Sequence, residues 1–185
     1  MGKYDYLLEN HILAPCDVVV VKYLGDRRTI WVDAIEWFEN GDVSHVFTYL
    51  GGGTGQILDV KFKTGVTIGN IRDYFRDDVE LTIRRYKPLT VEQMEQMKSS
   101  AYSMVGKNYD TFSIIKAAVR ALLRKIGWYE KMKEWFLWIE SPAKVHCSEC
   151  VTRLFLTIKV GISNRNPEDV TPQVILETPM LETLG

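Results

Sequence analysis

In the segment Val145-His146-Cys147-Ser148-Glu149-Cys150-Val151, a cysteine stands where a helix is about to begin. A thiol at a helix N-terminus feels the positive end of the dipole and the amides of the first turn, and both favour thiolate over thiol. The helix itself is read from Val151, Leu154, Phe155 and Ile158, which recur at three- and four-residue spacing, while Thr152, Arg153, Thr157 and Lys159 fill the other face. Pro142 discourages a helix from running in from upstream and Gly161 marks a stop, so the N-terminus is predicted close to Cys147. Cys147 lies one turn before Val151 and points along the apolar stripe, at the edge of a core.

A nucleophilic thiol needs a base, and three histidines are available: His11, His45 and His146. His146 adjoins the cysteine, but neighbouring residues at a helix start project in different directions. His11 lies in a segment without a strong pattern. His45 sits on a predicted strand and shares a face with Phe47 and Tyr49. A hairpin that pairs Leu50 with Thr54 across the glycine-rich turn sets His45 opposite Asp59, and a register shifted by two leaves them diagonal neighbours on one face. There the carboxylate accepts the imidazole N–H, fixes its tautomer and stabilises the imidazolium. Cys147, His45 and Asp59 are therefore the expected catalytic triad.

The elements that must position these residues fall into two halves. Valine-rich 17–24, then 43–50 and 56–60 around Gly51, Gly52, Gly53 and Gly55, with 66–68 and 79–85, are expected strands. Residues 27–38 have weaker helical spacing. From Thr90 the character changes: Thr90-Val91-Glu92-Gln93 matches a capping box, and Met94, Met97, Ala101 and Met104 carry an apolar stripe to Gly106. Helices are expected at 110–126 and 128–139, followed by the cysteine helix. The class is α+β, strands first and helices after, in one domain over 1–185.

This order of residues resembles a known family. His45, an acidic residue after a glycine turn, and a late helix opening with Cys147-Ser148-Glu149 look like the circularly permuted papain-like hydrolases of the YiiX and YaeF kind, relatives of the NlpC-type peptidases and of lecithin-retinol-acyltransferase-like enzymes. Pro15-Cys16-Asp17, where the family favours Gly in the middle, Ser44-His45-Val46, Lys107-Asn108-Tyr109-Asp110 and Val170-Thr171-Pro172-Gln173 agree with it. The resemblance implies a permuted papain-like fold, an antiparallel sheet packed against a helical subdomain. It also implies amide or ester chemistry through a thioacyl intermediate, with His45 as base and then acid. The Cys147 backbone N–H is the natural oxyanion donor. The substrate expected is a small peptide or amino-acid amide, cell-wall-derived ones included, and no cofactor or metal is expected.

Alternatives stay open for each residue. Cys147 on an apolar stripe also reads as a small core residue, and Cys150 most simply so. The Cys147-x-x-Cys150 pair admits zinc in a non-enzymatic binding module, if distant ligands converge. Lys116, Arg120 and Arg124 form one row near Trp128, Trp135 and Trp138, which suits an anionic membrane surface and a lipid-directed acyl hydrolase or acyltransferase, or a solvated face. The glycine cluster lacks a following Lys-Ser or Lys-Thr and reads as a turn rather than a phosphate loop.

Composition bounds the rest. With 185 residues, 46% of them hydrophobic, the chain can bury a sizeable core, and a net charge of −1 argues against a nucleic-acid partner. Residues 1–10 carry charges and no apolar stretch suited to a signal peptide, so a cytoplasmic location is expected. Three cysteines, an odd number, make a disulfide framework improbable. Oligomeric state is not encoded in any of these features.

Overall fold

The computed structural model describes residues 4–24, 43–52, 54–61, 63–87, 89–109 and 144–184. The helices expected at 27–38, 110–126 and 128–139, and with them Lys116, Arg120 and Arg124, lie outside the described residues. The valine run forms β1 (Val18–Tyr23), followed by β2 (His45–Gly51), β3 (Gln56–Lys61), β4 (Gly65–Asn70) and β5 (Val79–Arg85). Two short strands, β6 (Asn108–Tyr109) and β7 (Lys144–Val145), pair in parallel, and β8 (Glu182–Leu184) comes last. The main sheet is antiparallel in the order β4-β3-β2-β1-β5-β8. Strands first and helices after is therefore corrected at the C-terminus, where β8 returns to pair with β5.

Val18 through Val21 are each no more than 1% exposed, because β1 lies between β2 and β5 with both faces covered. On one face Val18, Val20, Val46, Leu58 and Val60 meet helices α2 (Val91–Met104) and α3 (Cys147–Thr157). On the other, Val19, Val21, Phe47 and Ile57 meet Tyr4, Leu13, Ile71 and Tyr74, together with Leu7 of a short helix α1 (Asp5–Glu9) that no sequence periodicity announced.

Helix α2 starts at the predicted capping box: Thr90 Oγ1 accepts from Gln93 N at 3.3 Å, and Gln93 Oε1 accepts from Thr90 N at 2.9 Å. Helix α3 starts at Cys147, as the spacing requires, but ends before Gly161. Lys159 takes φ 61°, and the N–H groups of Lys159 and Val160 close on Leu156 O and Phe155 O at 3.0 and 3.1 Å, a left-handed cap that needs no glycine. A further helix α4 (Pro172–Glu177) begins in the Val170-Thr171-Pro172-Gln173 motif, with Thr171 Oγ1 accepting from Val174 N.

The hairpin register departs from the first expectation. Thr48 pairs with Leu58 and Tyr49 with Ile57, and the ladder then slips so that Gly51 meets Gln56, leaving Leu50 as the extra residue of a bulge. The turn glycines explain the slip. Gly51 takes φ 84° against Pro15, whose Cγ lies 2.8 Å from where a Cβ would be. Continued down the strands, this register sets Asp59 opposite Phe47, diagonal to His45 on the same face. Cys16 adopts φ 72°, in the left-handed region that favours glycine.

Candidate active site

His45 is the first residue of β2 and Asp59 the fourth of β3, so strand alternation turns both toward one face. His45 Nε2 lies 2.8 Å from Asp59 Oδ1. Because a carboxylate only accepts, Nε2 carries the proton in that bond. Cys147 is near enough to act on the same ring, through a side-chain hydrogen bond and its charge. All three sequence-predicted site residues are thus brought together, with Asp59 reached diagonally rather than directly across the hairpin.

Asp59 is fully buried and both its oxygens are engaged. Tyr74 Oη donates to Oδ2 at 2.8 Å and Lys61 Nζ lies 3.3 Å from the same atom. Burial alone pushes the Asp59 carboxyl up, yet the charge and hydrogen bond of His45, the Tyr74 hydroxyl and Lys61 outweigh it and bring its pKa down to about 2. For His45 burial disfavours the charged ring, but Asp59 and then Cys147 hold its pKa well above the ordinary value. Tyr74 also stacks on the His45 ring, with centroids 5.9 Å apart and planes 19° apart. These contacts clamp the imidazole in one orientation, and its side chain keeps 14% exposure through which a substrate could reach it.

Tyr74 and Lys61 were missed from sequence. Lys61 stands two residues beyond Asp59 on the same strand face, a spacing that could have flagged it. Tyr74 comes from a 3-10 helix (Ile71–Tyr74) after β4, and no local pattern marks it.

Cys147 is 7% exposed and packs with the helix-side cluster, whereas Phe47 and Ile57, which flank His45 and Asp59, belong to the opposite cluster. The His45–Cys147 contact is where the two layers meet. His146 does not serve this contact. Its ring turns instead to Glu149 and to the Val170 carbonyl. Cys150 is 1% exposed, with Sγ 3.8 Å from Met104 Sδ, and burial, with Cys147 and Glu149 adding to it, pushes its thiol up to about 12. Burial does the same to Cys16, also to about 12. None of the three cysteines forms a disulfide. Among the described residues no group of three or more His, Cys, Asp or Glu side chains is arranged to hold a metal ion, and no helix is long and apolar enough to cross a membrane.

No protein-family model and no curated protein matches the chain. Among solved structures it is similar to the crystal structure of the metalloprotein YiiX from Escherichia coli O157:H7, at a TM-score of 0.64 and 18% identity, covering 92% of this chain and 96% of that one. Identity that low speaks to architecture alone. What the comparison establishes is a YiiX-like fold, a mixed α/β arrangement around a six-stranded antiparallel sheet.

Proposed function

We propose that this protein is a cysteine hydrolase of permuted papain-like architecture, cleaving the amide of a peptide or amino-acid conjugate through a thioacyl intermediate. The observation that carries the reading is one imidazole bonded on one side to a buried carboxylate at 2.8 Å and on the other to the thiol at a helix start. A buried histidine needs two polar partners of any kind, an acceptor for its N–H and a donor to its lone pair. Two, in the order carboxylate, imidazole, thiol, are what proton transfer to and from a nucleophile requires.

In this scheme the Cys147 thiolate attacks the carbonyl carbon while His45 stands as imidazolium over Asp59. The carbonyl π pair moves onto oxygen, where the first-turn amide of Cys147 is the candidate donor. Collapse expels the amine, which takes its proton from His45, and leaves the thioacyl enzyme. Water then attacks as His45 removes its proton, and a second collapse releases the acid and the thiolate.

A zinc reading has the description of the YiiX neighbour as a metalloprotein in its favour. The donor set here does not suit it: Cys150 Sγ is turned to Met104, and the Asp59 oxygens are taken by His45, Tyr74 and Lys61.

The test is alkylation of the native protein by iodoacetamide across pH 5 to 9, with the modified site read by peptide mass spectrometry. Cys147 should label selectively, below the usual thiol range near pH 8.5, and His45→Ala should slow this by about tenfold or more near neutral pH. Equal and sluggish labelling in both proteins overturns the reading.

A further inference from the structure

Beside the triad lies a second histidine that the scheme above leaves unused. His146 precedes the nucleophile and occupies the N-cap of α3, where a serine, threonine or aspartate is usual. Its Nδ1 lies 3.0 Å from Glu149 Oε2 and its Nε2 lies 3.1 Å from the Val170 carbonyl. Both neighbours are acceptors. A neutral imidazole has one N–H and one lone pair, so either tautomer would aim a lone pair at an oxygen. Nδ1 makes no aligned hydrogen bond: it lies in ionic contact with Glu149 Oε2 and, in the capping box of α3, also faces the Glu149 backbone amide. A lone pair against a carboxylate would still be the worst arrangement of the three.

We infer that His146 is held as an imidazolium by Glu149 and the Val170 carbonyl, forming a second positive charge at the start of the nucleophile helix that positions Cys147 and favours its thiolate.

The surroundings fit a charged ring. Glu149 is 3% exposed and stays ionised because Arg153 Nε donates to its other oxygen at 2.7 Å. Burial raises the Glu149 carboxyl, but His146 and Arg153 outweigh that and bring it below its ordinary value. The titratable groups acting on His146 are Glu149 and Cys147 from its own helix, with the Val170 carbonyl facing it across the interface. Burial opposes the charged ring, and those groups together raise its pKa above the ordinary one. The same carbonyl accepts from Ser148 Oγ at 2.6 Å, so the two positions on either side of Cys147 are tied to one atom of the segment after the 3-10 helix Pro167–Asp169. That arrangement gives the Val170-Thr171-Pro172-Gln173 motif a purpose: it anchors the first turn of α3.

His146 is a positioning residue in this account, since it acts through Cys147. The thiolate effect rests on the hydrolase reading, while the protonation state does not. Two measurements separate them. Imidazole 15N spectra of the native protein between pH 5 and 9 should show both His146 nitrogens still protonated as pH rises past the ordinary histidine value of about 6.5. Titration near 6.5 overturns the proposal whatever Cys147 does. In His146→Gln, which keeps one donor for Val170 and loses the charge, alkylation of Cys147 at pH 6.5 should slow by about threefold to tenfold and its pH profile should move alkaline. If the ring is protonated but that profile superimposes on the wild type, the electrostatic role is refuted. Sluggish labelling of Cys147 in wild type, with His146 protonated, would instead overturn the hydrolase reading and leave the imidazolium standing.

Discussion

Helix α2 starts at Thr90 with Gln93 reaching back to the cap amide, and helix α3 starts at His146 with Glu149 Oε2 reaching back to the cap amide at 3.4 Å. The geometry of cap and third helical residue is common to both. Their surroundings are not: Thr90 and Gln93 face solvent, whereas Cys147, Ser148, Glu149 and Cys150 are all buried. In water a neutral hydroxyl and an amide suffice to satisfy the first turn. In the interior the same positions carry an imidazole, a carboxylate and a thiol, where weaker screening makes each charge felt by the next. One helix start stabilises a helix, and the other gathers ionisable groups beside the proposed nucleophile.

Several substitutions would break or sharpen that contrast. The largest effect is expected from Cys147→Ala, which should abolish thioacyl formation on any substrate found, a loss of about a thousandfold or more, while Cys150 stays unlabelled in the native protein. Trapping with an electrophile followed by intact-mass measurement reads both at once, and rapid labelling of Cys150 in the variant would erase the distinction between the two thiols.

Asp59→Asn comes next. The native carboxyl lies at about 2 against an ordinary 3.8, so its folded-state pKa is depressed. Its contribution, of order 2 kcal/mol, is complete above pH 4 and is lost as pH falls through about 2. His45 runs the other way: its pKa is raised, so its contribution is complete below about 6.5 and fades as pH rises through the folded value. Urea unfolding of wild type and Asp59→Asn at pH 7 and pH 2.5 should give curves that converge in acid. A gap that persists unchanged at the lower pH would show that the carboxylate charge contributes little.

Glu149→Gln should cost about 1–3 kcal/mol, because it removes the shared partner of His146 and Arg153 from a buried site. Thermal unfolding measures it. A variant as stable as wild type would mean that the buried start of α3 is held by packing alone. The smallest change belongs to the exposed start: Thr90→Ala should lose about 1 kcal/mol and leave Cys147 alkylation untouched. An altered labelling rate there would couple two helix starts that the comparison treats as independent.

How far the site could be read in advance varied with the range of the interaction. The Thr90 cap and the start of α3 at Cys147 follow from residues within one turn, so the spacing of apolar positions sufficed. The end of α3 did not, because Lys159 adopts the left-handed cap conformation that composition assigns to Gly161. The His45–Asp59 pairing was legible as a shared strand face, since that depends only on the two-residue period. Its diagonal form depended on the bulge at Leu50, which Gly51 and its contact with Pro15 impose. The contacts of Tyr74 and Val170 were invisible for a simpler reason: each joins segments whose local patterns say nothing of each other.

The amino-acid order by itself determined the strand and helix periods, the Thr90 cap and the start of α3 at Cys147, because those rest on side chains within a few positions along the backbone. Tertiary structure alone decided which hydroxyl and ammonium steady the carboxylate, and why His146 turns away from its neighbour toward Glu149 and Val170. Those outcomes depend on how two layers close over one sheet, where burial removes water as the competing partner and leaves each polar group to the few others within reach.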